Sequence, residues 1–333
     1  MVDIQSNVAD GSRQRRASDR SAVHEMRQRR GHLQVYLNAG FGEPLGEKVM
    51  SDVAGFGFNG IRQDIPDHHD DAWRVIEDML QLKGRPIFLI GGGEIRRSHP
   101  KKHGEPWPLD DFLSHVHDTM VKLRDLGWFQ RPFAIEIGNE PDICKNHWQD
   151  PREFAFLVNR SYKIIQEIHS GCTVISGGVS NLHENGIDFT RKLVSTLHPD
   201  IELGVHRYPP ALDEMEPHFG SNRWAEVTAL KNAIGGRPFW VTETGRSRFH
   251  VKKFLWIKKT VRVSEKVVAK HIKTELEFWK RAKAKALVIY QHRDGPRESF
   301  LDGFGIADKD GKWYEIVHDL KDWIQTARGT KTQ

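Results

Sequence analysis

The sequence predicts an α/β fold in which eight strand–helix units close into a single (β/α)8 barrel, the TIM barrel. Three observations support this fold class. From residue 32 onward, apolar runs of four to eight residues alternate with longer helical patterns. The strand runs are almost continuously apolar, as in parallel sheets whose two faces are both buried. The alternation occurs eight times, and eight strands close such a barrel.

Each predicted strand is rich in branched and aromatic apolar residues and ends in polar residues, glycine or proline. In chain order these runs cover 32–38, 60–65, 85–92, 133–141, 172–178, 201–208, 238–245 and 286–292. Each predicted helix has apolar positions spaced three and four residues apart. In chain order the helices cover 44–55, 70–82, 109–126, 151–169, 186–197, 222–234, 264–284 and 314–327. A long connection, 246–263, precedes the seventh helix.

Local signals support several of these boundaries. Asp110 and Asp111 lie at the start of the third helix, where the helix dipole favours negative charge, and Gly127 ends that helix. The glycine-rich fingerprint of a doubly wound open sheet, which is the competing architecture, is absent after the first strand. The barrel is therefore the predicted fold.

The composition allows a hydrophobic core beneath a polar surface, with 38% hydrophobic and 29% charged residues. No apolar run approaches the roughly 20 residues that span a bilayer, so we expect no membrane partner. Residues 1–31 show no secretory signal, and two cysteines cannot organise a disulfide framework. We therefore expect a cytoplasmic protein, or a secreted one if a leader has been removed.

No linker divides residues 32–328, so we predict one barrel domain between a flexible basic tail at 1–31 and a short tail at 329–333. The arginines of the first tail and the net charge of +5 raise the alternative of nucleic-acid contact. No zinc-ligand spacing, recognition-helix pattern or RNA-binding signature follows them. We therefore expect a solvated tail and no nucleic-acid partner. The sequence leaves the oligomeric state open.

Polar side chains stand at the carboxyl ends of the predicted strands, which converge on one pocket when a barrel closes. In chain order they are Asn38, Arg62, Asp64, Glu94, Asn139, Glu140, Ser180, Asn181, His206, Tyr208, Glu243, Gln291 and His292. Sugars need a lining of this kind, because their hydroxyls require donors and acceptors at fixed places. Two facing carboxylates, Glu140 and Glu243, are the minimal machinery for breaking a glycosidic bond.

Three of these strand ends resemble the motifs of clan A glycoside hydrolases, a group of retaining barrel enzymes with cellulase-like, mannanase-like and xylosidase-like families. The motifs are Asn139-Glu140-Pro141 after strand four, His206-Arg207-Tyr208 after strand six and Glu243 after strand seven. The likeness covers residues 32–328. It implies that Glu140 is the acid/base and Glu243 the nucleophile. Many members have a tryptophan at the end of strand eight, where this chain has Tyr290-Gln291-His292, and this departure bears on the sugar that is bound.

The chemistry of a retaining enzyme agrees with this division of roles. Glu243 must be ionised to attack the anomeric carbon, and Arg62 and the Tyr208 hydroxyl are the expected donors to it. Glu140 must hold a proton, which a negative charge on Glu243 favours. We expect the two carboxyl groups to lie roughly 5 to 5.5 Å apart, whereas inversion needs more than about 6.5 Å.

The predicted substrate-binding residues are Asn38, Arg62, Asn139, Trp148, His206, Tyr208, Gln291 and His292. Asn139 is the expected partner of the sugar 2-hydroxyl. His206 either contacts the substrate, orients Glu140 or is a buried structural histidine. Trp107 and Trp148 fall in loops, where an indole either stacks on a sugar or packs against protein. Glu136 lies mid-strand and is expected to be structural, either paired or protonated.

The sequence thus predicts a glycosidase that cleaves β-glycosidic bonds of an oligo- or polysaccharide by a retaining mechanism. A glycan-binding barrel without turnover and a transglycosylase with the same carboxylates are the alternatives. An enolase-type metal enzyme is disfavoured because strands five and six end without carboxylates, so no metal and no cofactor are expected.

Basic residues cluster in the loops around the expected mouth of the barrel, above all in 246–263. One hypothesis is that the substrate, or its flanking units, is anionic, and solvated loop charge is the other reading. The apolar residues of the same segment suggest a lid or an interface with a partner subunit.

Overall fold

The computed structural model of the chain describes residues 33–39, 47–65, 70–82, 84–91, 109–143, 150–208, 222–254, 257–294 and 303–327. Several sequence predictions fall outside the described residues. They are the two tails at 1–31 and 329–333, the strand-end residue Glu94, the loop tryptophans Trp107 and Trp148, and the basic loop residues Arg96, Arg97, Lys101, Lys102 and Arg297.

Eight parallel strands form a closed barrel. They are β1 Gln34–Asn38, β2 Gly60–Asp64, β3 Ile87–Ile90, β4 Ala134–Ile137, β5 Thr173–Val179, β6 Glu202–Arg207, β7 Phe239–Thr244 and β10 Ala286–Ile289. Around the barrel the order is β1-β10-β7-β6-β5-β4-β3-β2, with every neighbouring pair parallel. The predicted (β/α)8 barrel is therefore confirmed.

The described part of the chain contains eight α-helices, one for each barrel strand. They are α1 Glu47–Gly55, α2 Asp70–Asp78, α3 Leu109–Asp125, α4 Pro151–Ile168, α5 Glu184–Val194, α6 Asn222–Ile234, α7 Glu265–Arg281 and α8 Ile316–Ala327. The start of α4 shows how local chemistry fixes an end, because the Asp150 carboxylate accepts from the Arg152 N–H at 2.7 Å and Pro151 opens the first turn. None of the described helices combines the length and apolar character that crossing a membrane requires.

The connection predicted at 246–263 is not a plain loop. It forms a two-stranded antiparallel hairpin, β8 Phe249–Phe254 and β9 Ile257–Arg262, between β7 and α7. The doublets Lys252-Lys253 and Lys258-Lys259 interrupt any alternation of apolar and polar residues in this segment. Apolar and polar residues alternate only around 249–252 and 261–264, and two runs of this length are a weak signal for paired strands.

The interior of the barrel has an apolar lower layer near the amino ends of the strands. Its side chains come from β1, β3, β4, β5, β7 and β10 and are Tyr36, Ile87, Ala134, Ile175, Trp240, Ala286 and Val288. Neighbouring residues of the same strands, such as Val35 and Ile135, face outward and join the larger core beneath the helices. The alternation that fills both cores leaves the carboxyl ends of the strands for polar side chains.

Strand β7 contains a one-residue bulge, which shifts its pairing register with both neighbouring strands. From β6, the pairing moves from Val205–Val241 to His206–Glu243, and from β10 it moves from Leu287–Val241 to Ile289–Thr244. One extra residue of β7 is thus inserted just before Glu243. Regular alternation from the inward-facing Trp240 would direct Glu243 outward, so the bulge turns this carboxylate into the barrel.

Candidate active site

The charged upper layer of the barrel is centred on Arg62 of β2, whose guanidinium is buried. Nε donates to Glu136 Oε2 at 2.6 Å, Nη1 to Glu243 Oε1 at 2.9 Å and Nη2 to Asn139 Oδ1 at 3.1 Å. Burial opposes the positive charge, but Glu136 and Glu243 outweigh it and raise the pKa of Arg62 above its usual range. One permanent cation therefore joins β2, β7 and the end of β4.

Glu243 receives two donors, one on each carboxylate oxygen. Arg62 Nη1 reaches Oε1, and the Tyr208 hydroxyl donates to Oε2 at 2.6 Å. Burial, and then the negative charge of Glu243, raises the pKa of Tyr208 well above its usual value, so the phenol keeps its proton and remains a donor. The two donors expected at Glu243 are thus both in place.

Glu140 is held differently, on strained backbone at the edge of the cleft. Its φ of 46° lies in the left-handed region that residues other than glycine rarely adopt, and its N–H donates to Gly178 O at 3.0 Å. The Glu140 side chain is 21% exposed, whereas the Glu243 side chain is 10% exposed. Glu140 is therefore the carboxyl group better able to exchange protons with solvent.

The carboxyl groups of Glu140 and Glu243 face each other at short range. One oxygen of each, together with a ring nitrogen of His206, forms a group whose atoms all lie within 4.8 Å of one another. Inverting enzymes separate their carboxyl groups by about 6.5 to 9.5 Å to admit a water, and retaining enzymes by about 5 to 5.5 Å. The close approach is compatible with the retaining geometry.

His206 lies between the two carboxylates. Its Nδ1 is 3.3 Å from Glu140 Oε1 and 3.5 Å from Glu243 Oε2. Its ring packs on Gly178, where an added Cβ would lie only 2.2 Å from His206 Cδ2. Burial works to lower the pKa of His206, but the charges of Glu243 and Glu140 outweigh it and the pKa is raised. Nδ1 therefore lies within reach of both carboxylates, whose charge favours the protonated ring.

The same three side chains have the composition of a small metal site, and two contacts argue against that use. A metal ligand must be a neutral imidazole, whereas the pKa of His206 is shifted toward the cation. Both oxygens of Glu243 already accept from Arg62 and Tyr208, and the guanidinium would repel a cation. The arrangement suits proton transfer better than metal binding.

Two further predicted residues lie at the same end of the barrel. Asn38 is buried at the end of β1 and pairs in register with Arg62. Gln291 is buried just after β10, and its backbone N–H donates to Phe304 O at 3.1 Å. Their roles in substrate binding stay predictions.

His292 lies apart from the carboxylate pair. Its ring is buried against Trp313, with ring centroids 5.0 Å apart, and the Trp313 indole N–H donates to Asp52 of α1. Burial lowers the pKa of His292 to about 4, so the ring stays neutral near pH 7. Packing between barrel and helix accounts for these contacts, and a sugar contact stays a prediction, as it does for Trp148.

Three residues around the Glu140–Glu243 pair contribute more to the site than the sequence indicated. Glu136 is fully buried and is paired, because it accepts from Arg62 and from the Gly178 N–H at 3.3 Å. Tyr290 and Phe304 pack edge-on against Tyr208, with ring centroids 6.1 and 5.3 Å from it. Burial, and then Glu243, raises the pKa of Tyr290. The signal for Tyr290 was its place at the end of strand eight, whereas Phe304 offered none.

No protein-family model matches the chain, and no curated protein matches it by sequence. Solved structures do match it. A monomeric β-xylosidase from Caulobacter crescentus aligns with a TM-score of 0.62 and 15% identity, covering 87% of this chain and 67% of its own. Thermotoga maritima Cel5A, a mutant form in complex with cellobiose, aligns with a TM-score of 0.58 and 18% identity, covering 89% and 98%.

A third similar structure is an active-site mutant of a β-1,3-glucanosyltransferase from Rhizomucor miehei in complex with laminaritriose. It aligns with a TM-score of 0.61 and 14% identity, covering 85% of this chain and 96% of its own. These structural neighbours are clan A glycoside hydrolases, the group that the motifs resemble. At 18% identity or less, the likeness shows the fold alone.

Proposed function

We propose that this protein is a retaining glycoside hydrolase that cleaves β-glycosidic bonds of an oligo- or polysaccharide. The observation that carries the proposal is the unequal environment of two neighbouring carboxyl groups. Glu243 accepts from a guanidinium and a phenol, whereas Glu140 is more exposed and lies 3.3 Å from a ring nitrogen of His206. Two carboxyl groups held in different protonation states are what this reaction requires.

In the first step, a Glu243 oxygen forms a bond to the anomeric carbon as the bond to the leaving oxygen breaks. Glu140 gives its proton to that leaving oxygen. In the second step, Glu140 takes a proton from a water molecule, whose oxygen then forms a bond to the anomeric carbon and releases Glu243 as a carboxylate. Arg62 and Tyr208 favour the carboxylate at the start and at the end of this cycle.

Asn139 lies where it can assist the same reaction. Its Oδ1 accepts from Arg62 at 3.1 Å, which fixes the orientation of the amide beside the candidate nucleophile's own donor. A hydrogen bond from this amide to the sugar 2-hydroxyl would strengthen in the transition state. Asn139 therefore adds a binding contact between the two glutamates.

The test compares the wild type with Glu243→Gln and Glu140→Gln on a panel of aryl β-glycosides and polysaccharides. We expect Glu243→Gln to lose more than about 10⁴-fold in kcat, as other enzymes do when a covalent nucleophile is removed. We expect Glu140→Gln to lose about 10² to 10⁴-fold on polysaccharides. Its loss on dinitrophenyl glycosides should be smaller, since that leaving group needs no proton. Glu167→Gln, on an exposed glutamate, is the control.

Product analysis decides among the rival readings. NMR of the first product should show the same anomeric configuration as the substrate, and an inverted product would contradict the mechanism. Binding of oligosaccharides without release of reducing ends would favour a glycan-binding barrel. Longer oligosaccharides as the main products would favour a transglycosylase, a reading that the similarity to the glucanosyltransferase fold keeps in view.

A further inference from the structure

The segment between the nucleophile strand and α7 holds the densest positive charge of the described chain beside the candidate site. Residues 246–262 contain seven lysines and arginines and no aspartate or glutamate. Their summed charge exceeds the net charge of +5 of the whole chain. The segment therefore creates a local positive field at the carboxyl end of β7.

The register of the hairpin places like charges directly opposite each other. In the backbone register, Lys252 pairs with Lys259 and Lys253 pairs with Lys258. Like charges at opposed positions destabilise a sheet, and an isolated two-stranded ribbon is marginally stable in water. Neither cost is offset by an acidic residue of the segment itself. A bound polyanion would offset both.

The base of the hairpin is fixed to the wall of the site. Arg248 N donates to Gly303 O at 2.7 Å, and Val263 N donates to Arg248 O at 2.6 Å. The Arg248 guanidinium is buried 3.5 Å from the centre of the Tyr314 ring, and its Nη2 donates to Gly305 O at 3.1 Å. Arg248 thus serves the fold and holds the ribbon in place.

The segment 303–305, which anchors the ribbon, also packs against a side chain that contacts the candidate nucleophile. Phe304, between the two anchoring glycines, packs 5.3 Å from Tyr208, which donates to Glu243. The ribbon is therefore separated from the candidate nucleophile by two packed side chains.

We propose that the β8–β9 hairpin binds the anionic groups of an acidic polysaccharide whose neighbouring sugar units occupy the cleft. This inference rests on the proposed function and names its substrate class. The shared chemistry is a regularly spaced carboxylate or sulfate on a sugar backbone. Seven basic residues within 17 positions suit a polymer with repeated anionic groups better than one small anion.

The test measures binding to polymers that share a backbone and differ in charge. Carboxymethyl cellulose and cellulose sulfate are each compared with uncharged hydroxyethyl cellulose by affinity electrophoresis at low and high salt. The protein is the full chain carrying Glu243→Gln, with or without Lys252→Gln, Lys253→Gln, Lys258→Gln and Lys259→Gln. We expect the four substitutions to weaken binding of the charged polymers about tenfold or more, and to reduce its salt dependence.

The matched control removes the same charge elsewhere, through Lys163→Gln, Lys192→Gln, Lys231→Gln and Lys280→Gln on α4, α5, α6 and α7. Equal weakening in this control would overturn the proposal, because net charge would then explain the binding. Unchanged binding in the hairpin variant, or tighter binding of single-stranded DNA than of any acidic polysaccharide, would also overturn it. A preference for carboxymethyl cellulose would support carboxylate, and a preference for cellulose sulfate would support sulfate, as the anionic group that the hairpin binds.

The binding assay is independent of turnover, so the two proposals fail separately. If the wild type hydrolyses neither the aryl glycosides nor any neutral or acidic polysaccharide of the panel, the glycosidase proposal fails even where the hairpin binds polymer. If turnover is present and the hairpin variant binds charged polymer normally, only the substrate class fails.

Discussion

Two clusters of buried charge lie on opposite sides of strand β6, and they show what separates a chemical site from a structural one. His206 and Arg207 are consecutive on this strand, so their side chains leave it on opposite faces. His206 enters the barrel between Glu140 and Glu243. Arg207 points outward to the helices, where its Nε donates to Glu226 Oε2 at 3.1 Å.

The outer cluster is centred on Glu275 of α7, which is fully buried. Its Oε1 lies 3.4 Å from Arg207 Nη1 and also pairs with Arg223 of α6. Its Oε2 accepts from the Trp279 indole N–H at 2.8 Å. One carboxylate thus ties β6 to α6 and α7, as Arg62 ties three strands inside the barrel.

The histidines of the two clusters are shifted in opposite directions. Burial lowers the pKa of both, but Glu243 and Glu140 reverse its effect on His206 and raise that pKa. At His271, Arg246 and two other arginines of the cluster add to burial, and the pKa falls well below its usual value. The sign of the surrounding charge, rather than depth, decides which histidine holds a proton.

Access to solvent is the second difference. The inner cluster reaches the surface through Glu140, whose side chain is 21% exposed, whereas Glu275 and His271 are closed off between strand and helices. An excess of carboxylates that opens on a cleft can exchange protons with a substrate. An excess of arginines beneath helices can only hold elements together.

The largest effect that would sharpen this comparison is expected from Glu136→Gln. Glu136 fixes the Arg62 guanidinium, which contacts Glu243 and Asn139, so the variant should misplace both contacts. We expect kcat/KM to fall roughly 10- to 100-fold. Removing one buried negative charge should also ease the ionisation of Glu140 and move the alkaline limb of the pH profile to lower pH. Steady-state kinetics between pH 4 and 9 measure both.

The pH profile distinguishes a positioning role of Glu136 from a merely structural one. A structural loss would lower the amount of folded enzyme and leave the pH limb where it was. If Glu136→Gln keeps the wild-type pH profile, Glu136 does not act on the pair through Arg62.

The next effect is expected in the outer cluster, from Glu275→Gln. The change leaves Arg207 and Arg223 without their shared counter-charge in a buried place. Removing one partner of a buried ion pair costs about 3 to 5 kcal/mol, and we expect this loss in the unfolding free energy measured with urea. The kcat/KM per folded molecule should equal that of the wild type. A shifted pH profile in this variant would show that the clusters are coupled through β6.

The comparison also shows which features a sequence can predict. The helix 222–234 and the strand ends bearing Asn139 and His206 were predictable, because periodicity and turn residues are local signals. The Arg62 and Tyr208 contacts to Glu243 were predictable once the barrel was assumed, since inward residues at the strand ends converge.

Other features depend on tertiary structure. The bulge in β7 that directs Glu243 inward is visible only in the register with β6 and β10, and alternation alone would predict the opposite face. Phe304 reaches Tyr208 from a segment almost a hundred residues away in the chain. The hairpin forms although two lysine doublets interrupt the alternation of apolar and polar residues, and its base is held by a hydrogen bond to Gly303.

The smallest predicted effect tests the two histidines through the pH dependence of stability. Between its usual pKa of 6.5 and its raised value, His206 holds more proton in the folded chain than in the unfolded one, so it contributes stability below pH 6.5 that is lost as pH rises. His271 has a lowered pKa, so its contribution is complete above pH 6.5 and is lost as pH falls. Each slope is at most about 1.4 kcal/mol per pH unit.

Urea unfolding from pH 5 to 8 measures how the free energy of unfolding depends on pH. We expect His206→Asn to flatten the alkaline side of this curve and His271→Asn to flatten its acid side. His117→Asn, on the exposed face of α3, should change neither side. The reverse assignment would mean that the charge surrounding the two rings has the opposite sign from the one described.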